Sequence, residues 1–215
     1  MKTGILFDLD GTLLDTLEDL LDATNYALEA HGYPGRTLPE LRRFVGNGAY
    51  NQMRLSVPQG TKPEAIQAVL DTYKPYYTAH CQNKTRPYEG IPEALAALCK
   101  KYPVAIVSNK PDAAVKALCA DYFPGLYALG ETADCPRKPA ADMVFRAMKA
   151  IGADSCIYVG DSEVDVMTAK NAGVPCLCVT WGFRDREDLE TAGGIRFCGD
   201  PRKIVSEIEG MIYGE

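Results

Sequence analysis

From Tyr88 onward, short apolar runs alternate with segments whose apolar residues recur at helical spacing. Such alternation is typical of a parallel sheet whose strands are connected by helices that cover both of its faces. The apolar run at residues 4–9 is short enough to add a first strand. We therefore predict an α/β fold with a doubly wound parallel sheet. Later strands are predicted at residues 104–107, 126–129, 156–159, 174–179 and 195–197, and helices at 92–101, 111–120, 139–151, 163–172 and from 200 onward.

The region between the first strand and residue 82 has a purely helical pattern. Thr16 and Asp19 resemble a capping box at the start of a helix that Gly32 would end. Further helices are predicted at 39–44, at 49–57 and from Pro63, and Pro75 is expected to kink or end the last of them. We therefore predict two domains. They are a core of residues 1–15 and 82–215, and a small helical cap of residues 16–81 inserted after the first strand.

The composition argues against several classes of function. The chain of 215 residues carries a formal net charge of −6, which would repel a nucleic-acid backbone. It has no run of roughly 20 apolar residues that could span a membrane, and Asp8 and Asp10 interrupt the apolar run that a signal peptide would need. The eight cysteines form no CxxC pair. A zinc site is therefore not expected. We expect a reducing, cytoplasmic location.

Acidic and polar residues follow several of the predicted strands. In an open parallel sheet, ligands bind beyond the carboxyl ends of the strands, so these side chains are expected to meet in one crevice. Several carboxylates this close could not all ionise without compensation, and Mg²⁺ is the simplest compensating charge. In chain order the candidates are Asp8, Asp10, Ser108, Asn109, Asp161 and Asp165, with Lys138 just before a predicted helix.

Each of these residues also has a plain structural interpretation. An Asp-x-Asp-Gly sequence is common in loops, and Ser108 or Asn109 could cap the helix that follows. Lys138 could be an ordinary solvated lysine. Ser162 and Asp165 could form a capping box, which makes Asp165 the most ambiguous of the carboxylates. The functional interpretation depends on all of these groups falling at one edge of one sheet.

Four stretches, DLDGTLLD, VSNK, RKP and VGDSEVD, resemble the four motifs of the haloacid dehalogenase-like phosphatases, in the family's order. The resemblance covers nearly the whole chain and implies a Rossmann-like core with the family's small α-helical cap. Within the helical segment, FVGNGA is similar to phosphoglycolate phosphatases and their near relatives. The implied activity is Mg²⁺-dependent hydrolysis of a small phosphorylated metabolite through an aspartyl phosphate.

The resemblance implies a role for each carboxylate. Asp8 would be the nucleophile, and Asp10 would protonate the leaving oxygen and then activate water. Asp8, the backbone carbonyl of Asp10 and the Asp161 side chain would hold Mg²⁺. Asp165 would support the metal through its water shell or orient Lys138.

The remaining roles implied by the resemblance concern the substrate. Ser108, and with it Asn109, would hydrogen-bond the transferring phosphoryl group, while Lys138 would pair with its charge. The other candidate phosphate- and substrate-binding residues are Thr12, Asn47 and Gly48.

The spacing of Asp8 and Asp10 suits this chemistry. Alternate residues of a strand point to the same side, and Gly11 permits a sharp departure of the chain after them. The two carboxylates could therefore flank one phosphoryl group, with Asp8 alone presenting its side chain to the metal. A carboxylate with a raised pKa beside a carboxylate nucleophile is the pairing that phosphoryl transfer to an aspartate needs.

Several alternatives stay open from the sequence. Phosphoglycolate is the first substrate expected, but relatives with this cap also hydrolyse pyrophosphate, nucleotides or sugar phosphates. A phosphomutase of the β-phosphoglucomutase kind would share every core residue named above. A non-enzymatic phosphate-binding protein would have no use for a proton donor at Asp10. The sequence does not indicate the oligomeric state.

Overall fold

The computed structural model describes residues 2–214 of the chain. Six strands form one sheet in the order β5-β4-β1-β6-β7-β8, and every neighbouring pair is parallel. The predicted α/β fold class is therefore confirmed. The strands are β1 Thr3–Phe7, β2 Leu14–Asp15, β3 Arg86–Pro87, β4 Val104–Pro111, β5 Tyr127–Glu131, β6 Ser155–Gly160, β7 Cys176–Val179 and β8 Phe197–Cys198.

The order of the strands creates a crevice beside β1. The chain moves from β1 outward through β4 and β5 on one side, and then crosses back to β6 on the other side. Phe7, the last residue of β1, pairs with Ile106 in β4 and with Val159 in β6. The residues that follow Phe7, Ile106 and Val159 therefore lie together at the carboxyl edge, where open α/β sheets bind ligands.

Helices cover both faces of the sheet because successive strand residues point to opposite sides. Ile5 and Phe7 belong to one buried apolar cluster, while Leu6 belongs to a second cluster on the opposite face. The helices are α1 Leu17–Ala30, α2 Leu38–Phe44, α3 Gly48–Ser56, α4 Pro63–His80, α5 Ile91–Leu98, α6 Asp112–Tyr122, α7 Asp142–Ile151, α8 Glu163–Ala172, α9 Arg186–Thr191 and α10 Ile204–Tyr213, the last preceded by the 3₁₀ turn Pro201–Lys203.

Helices α1–α4 pack on one another and form a helical segment between β2 and β3. Strands β2 and β3 pair antiparallel, so the two chain crossings between the sheet and this segment lie side by side. The segment falls within the predicted residues 16–81. That it behaves as a separate cap domain stays a prediction.

The predicted capping box of Thr16 and Asp19 is wrong. The Thr16 side chain makes no capping hydrogen bond, because its Oγ1 donates to Asp10 Oδ1 at 2.6 Å instead. The Asp19 carboxylate accepts hydrogen bonds from the backbone N–H groups of Lys84 and Thr85 at 2.8–3.0 Å and from the Thr85 hydroxyl at 2.8 Å. Both side chains therefore connect α1 to other segments and do not cap it.

Pro75 does not end helix α4, which continues to His80. Proline removes one backbone donor and usually disturbs a helix. Here Tyr73 and Tyr77, on either side of Pro75, are both fully buried. Their burial stabilises the helical path through the proline.

Other differences concern short elements. Strand β4 extends past the predicted end at residue 107 to Pro111, so Ser108 and Asn109 lie inside it. The β2–β3 pair and helix α9 were not predicted, because two- and six-residue elements carry too few positions to show a period. Among residues 2–214, no helix combines the length and the apolar character needed to cross a bilayer.

Replacing Asp19 by alanine should lower the free energy of unfolding by about 2–4 kcal/mol, because the buried N–H and hydroxyl of Thr85 and the partly buried N–H of Lys84 lose a charged acceptor. Urea-induced unfolding measures this loss. Asp22→Ala on the same helix is the matched control. Asp22 makes an exposed ion pair with Lys84 at 2.7 Å, and its loss should change stability by less than about 1 kcal/mol. Equal losses in the two variants would contradict this account.

Candidate active site

Three acidic side chains meet at the carboxyl edge of the sheet. Asp8 follows β1, Asp161 follows β6, and Asp165 lies in the first turn of α8. All three are buried, and each offers an oxygen within 4.8 Å of the other two. Buried carboxylates are rarely stable as anions unless a cation or hydrogen bonds compensate them, so their neighbours decide what the site can do.

Lys138 is the cation that contacts two of these carboxylates. Its Nζ lies 2.8 Å from Asp8 Oδ1 and 2.8 Å from Asp165 Oδ1, and it donates to the Tyr158 hydroxyl at 3.0 Å. Burial lowers the pKa of Lys138, but the charges of Asp165 and Asp8 outweigh that effect and raise its pKa above the ordinary lysine value. The lysine is therefore held as an ammonium ion beside Asp8.

The surroundings of Asp8 oppose its ionisation. Burial, followed by the negative charge of Asp165, raises the pKa of Asp8 well above its ordinary value, and Lys138 acts in the opposite direction. A carboxylate nucleophile must be ionised to attack phosphorus. The protein's own residues therefore leave Asp8 in need of further positive charge.

Asp161 is held by two hydrogen bonds and by two close backbone approaches. It accepts from Thr12 Oγ1 at 3.0 Å and from the backbone N–H of Phe183 at 2.7 Å. Burial and the charge of Asp165 raise the pKa of Asp161 to about 7. A Cβ at Gly11, whose φ is +81°, would lie 2.3 Å from Asp161 Oδ2, and one at Gly182 would lie 2.4 Å from it. Only glycine at these positions leaves room for the carboxylate.

Asp165 combines the two interpretations that the sequence left open. One oxygen accepts from the backbone N–H of Ser162 at 3.1 Å and from its Oγ at 2.6 Å, so the capping box is confirmed. The other oxygen accepts from Lys138 Nζ and, at 3.2 Å, from the Tyr158 hydroxyl. Asp165 thus fixes the start of α8 and the position of the lysine together.

Asp10 does not belong to the buried acidic cluster. Its Oδ1 accepts from Thr16 Oγ1 and lies 2.8 Å from Lys110 Nζ. Its side chain is 18% exposed, whereas that of Lys110 is 2% exposed. Asp8 therefore faces Lys138, while Asp10 faces a different lysine. Sequence reasoning assigned Lys110 no role, although it lies two positions after Ser108 on the same strand.

Ser108 and Asn109 extend the carboxyl edge of β4. The Ser108 hydroxyl accepts from the backbone N–H of Lys110 at 3.2 Å. The Asn109 amide pairs with the backbone of Lys138 in both directions, at 2.8 and 2.9 Å, and also donates to the Gly46 carbonyl at 3.3 Å. Asn109 therefore connects Lys138 to the helical segment.

A cavity of about 40 Å³ lies between this edge of the sheet and the helical segment. By volume it has room for about three water molecules. Gly48 lines it but Asn47 does not, and Lys138, Asp161, Asp165 and Thr12 lie outside its lining. The residues that line it are Asp8, Asp10, Leu20, Val45, Gly46, Gly48, Ala49, Gln52, Tyr73, Ser108, Asn109, Lys110 and Pro111.

The acidic cluster fits a divalent cation by its charge. Asp8, Asp161 and Asp165 share one ammonium group, that of Lys138, which contacts Asp8 and Asp165. Asp161 makes no ion pair among the described residues, and burial raises its pKa to about 7. Carboxylate oxygens are the ligands of hard divalent cations, and binding one would stabilise the ionised forms of these groups.

Comparison with known proteins places the chain in a family. The model of the haloacid dehalogenase-like hydrolases matches residues 5–179, which include every carboxylate described above. The chain belongs to the haloacid dehalogenase-like hydrolases. Both the family resemblance read from the sequence and the prediction that the protein is an enzyme are confirmed.

Several relatives within the family are similar to this chain over most of its length. A phosphoglycolate phosphatase of Mesorhizobium japonicum is 35% identical over 96% of this chain and 92% of its own length. One from Rhodobacter capsulatus is 35% identical over 86% of this chain and 87% of its own. A crystal structure from Lactobacillus delbrueckii subsp. bulgaricus, provisionally named phosphoglycolate phosphatase, superposes with a TM-score of 0.90 at 35% identity, covering 97% of this chain and 99% of its own. These relatives confirm the prediction of a phosphatase.

The pKa of Asp161 predicts how the stability of the metal-free protein depends on pH. The folded protein holds this proton more tightly than the unfolded chain, so raising the pH from about 4 to about 7 should lower the free energy of unfolding, with a contribution of about 4 kcal/mol from Asp161. Asp8 acts in the same direction. Denaturant unfolding in EDTA across this range measures the slope.

Mg²⁺ should remove this loss, because it replaces the proton as the compensating charge. It should therefore raise the melting temperature more at pH 8 than at pH 5. In Asp161→Asn, both the pH slope and the effect of Mg²⁺ should shrink. Metal-free stability that rises between pH 4 and pH 7 in the wild type, or an Mg²⁺ effect that persists in the variant, would contradict this account of the cluster.

Proposed function

We propose that this hydrolase is a Mg²⁺-dependent phosphatase that cleaves a small organic phosphate monoester through an aspartyl phosphate on Asp8. The observation that supports this most strongly is the pairing of Asp8 with Lys138 at 2.8 Å, at the edge of a cavity that Asp10 also lines. A nucleophile, a fixed cation and a second carboxylate are the groups that such a reaction requires.

In the proposed reaction, Asp8 carries the phosphoryl group and Asp10 carries the proton. An Asp8 oxygen attacks phosphorus, and the bond between phosphorus and the ester oxygen breaks. Asp10 gives its proton to that oxygen, which leaves as the alcohol. Asp10 then takes a proton from water, the water oxygen attacks the phosphorus, and the bond to Asp8 breaks to release phosphate. The Asp10 proton is regenerated in each cycle.

Mg²⁺ would be held by the side chains of Asp8 and Asp161 and by the backbone carbonyl of Asp10, and when bound it would supply positive charge against the phosphoryl oxygens. Asp165 would support this site from α8, where it also orients Lys138. Thr12 contributes indirectly, because its hydroxyl donates to Asp161.

The phosphoryl group itself would meet Lys138 and Ser108. Asn109 is proposed as a positioning residue, because its amide is engaged with the backbone of Lys138. Gly48 would approach the substrate from the helical segment, with a φ of +76° that favours glycine. Asn47 was predicted beside it, and its contribution stays a prediction.

The size of the cavity favours a small substrate. The narrow space between the carboxylates and the helical segment favours a two-carbon ester such as phosphoglycolate over a hexose phosphate that must turn over between two transfers. Hydrolysis is therefore favoured over a β-phosphoglucomutase-like activity. Relatives that are named phosphoglycolate phosphatases support the same substrate. Pyrophosphate and nucleotides are the alternatives within the family.

All eight cysteines are free thiols, which supports the prediction of a reducing, cytoplasmic location.

The mechanism is tested on phosphoglycolate, pyrophosphate, β-glucose 1-phosphate and an aryl phosphate with Mg²⁺. Asp8→Asn should lower kcat by at least about 10⁴-fold on every substrate that the wild type hydrolyses, because no other group takes the phosphoryl group. Asp10→Asn should lower steady-state turnover by about 10²–10⁴-fold. Release of free phosphate rather than glucose 6-phosphate separates hydrolysis from mutase activity.

Asp15→Asn is the matched control, because Asp15 lies in the same stretch of sequence but is exposed on β2. It should keep wild-type activity to within a few-fold. Activity that survives in Asp8→Asn would exclude Asp8 as the nucleophile. A wild-type protein inactive on the whole panel would favour the non-enzymatic phosphate-binding alternative.

A further inference from the structure

Lys110 is a buried cation that the mechanism above does not use. It lies on β4, and its side chain is 2% exposed. Its Nζ lies 2.8 Å from Asp10 Oδ1, donates a hydrogen bond to the Tyr77 hydroxyl, and is 4.4 Å from the centroid of the Tyr77 ring. The sheet supplies the lysine, and helix α4 of the helical segment supplies Tyr77.

The contacts of Lys110 leave it capacity for another partner. A lysine ammonium group has three N–H donors. Asp10 and Tyr77 account for two of them, and no third acceptor lies within hydrogen-bond distance among the described residues. Lys110 also lines the cavity, so the remaining donor lies beside the space that the substrate would occupy.

Lys110 differs in charge from the other residues around the cavity. Among the described residues that line it, Lys110 carries the only positive charge, while Asp8 and Asp10 carry carboxylates. The other lysine of the site, Lys138, contacts Asp8 and Asp165, each at 2.8 Å. An anionic group on the substrate would be repelled by the ionised Asp8 unless Lys110 received it.

The distance from Asp10 suits a short substrate tail. Asp10 is proposed to protonate the leaving oxygen, and Lys110 Nζ lies 2.8 Å from Asp10. The ammonium group is therefore close to the leaving oxygen itself. A carboxylate separated from that oxygen by a single carbon is near enough for the oxygen to meet Asp10 while the carboxylate meets Lys110. Gln52 and Tyr73 bound the cavity on the side of the helical segment.

We propose that Lys110 is a specificity-determining residue that binds the carboxylate of the substrate, and that the preferred substrates are phosphate esters of short 2-hydroxy acids. This inference rests on the proposed phosphatase function. It adds the residue that selects a carboxylate, which that function does not require. Tyr77 then acts as a positioning residue, because its hydroxyl accepts from Lys110 and its ring lies against the ammonium group.

The test compares two substrates of nearly the same shape with Mg²⁺. Phosphoglycolate carries the carboxylate, and the phosphate ester of glycolamide replaces it by a neutral amide. The measured quantity is the ratio of kcat/KM for the acid to kcat/KM for the amide. In the wild type this ratio should be about 10²-fold, as expected for a buried charge-assisted hydrogen bond.

Lys110→Met should reduce the ratio to near one, whatever loss of activity the two substrates share through Asp10. Lys110→Arg should keep a ratio well above one, because it keeps the charge. Lys116→Met is the control for net charge, because Lys116 lies on α6 with a side chain that is 62% exposed. Its ratio should equal that of the wild type. Circular dichroism and thermal unfolding establish that each variant folds.

The outcomes separate the two proposals. If the wild type hydrolyses neither ester nor any other phosphate ester, the phosphatase function fails. If it hydrolyses both with a ratio near one, or if Lys110→Met folds and keeps the wild-type ratio, the role of Lys110 is overturned and the phosphatase function stands. Should Lys110→Met not fold, the wild-type ratio and the Lys110→Arg ratio decide, and a ratio near one in the wild type overturns the inference.

Discussion

Three buried carboxylates, those of Asp8, Asp161 and Asp165, have one ammonium group beside them, that of Lys138. The site therefore has less positive than negative charge, and this imbalance is the constraint on which the rest of the site depends. Burial raises the pKa of Asp8 and raises that of Asp161 to about 7. The positive charge of Lys138 alone therefore does not offset the effect of burial on these two carboxylates. A divalent cation would correct the deficit. Metal binding, ionisation of Asp8 and stability at neutral pH are therefore expected to be linked.

The fold supports this constraint by backbone geometry as well as by charge. The reversal of strand order beside β1 brings the ends of β1, β4 and β6 to one edge, so residues far apart in sequence meet there. Gly11 and Gly182 let the backbone approach the Asp161 carboxylate closely. Lys110, Tyr77 and the hydrogen bond from Asn109 to Gly46 connect that edge to the helical segment. The proposed substrate site therefore lies where the sheet and the helical segment meet.

Much of this arrangement could be predicted from the sequence, because strand-helix alternation and strand-end aspartates are local signals. Asp8 and Asp161 lie at the edge where their strands predicted them. The partners of individual side chains could not be predicted. The Thr16 hydroxyl donates to Asp10 instead of capping its own helix. Lys110 donates to the hydroxyl of Tyr77, which lies 33 residues away along the chain. Packing in the folded protein determines these long-range contacts, and the local secondary-structure propensities of the sequence do not predict them.

Anomalous diffraction from crystals grown with Mn²⁺ in place of Mg²⁺ tests the central claim most directly. The account predicts one strong peak per chain, within coordination distance of carboxylate oxygens of Asp8 and Asp161, and its loss in Asp161→Asn. Absence of a peak at millimolar Mn²⁺, or a peak bound by the Asp10 side chain and remote from Asp161, would contradict the claim that the buried acidic cluster holds the metal.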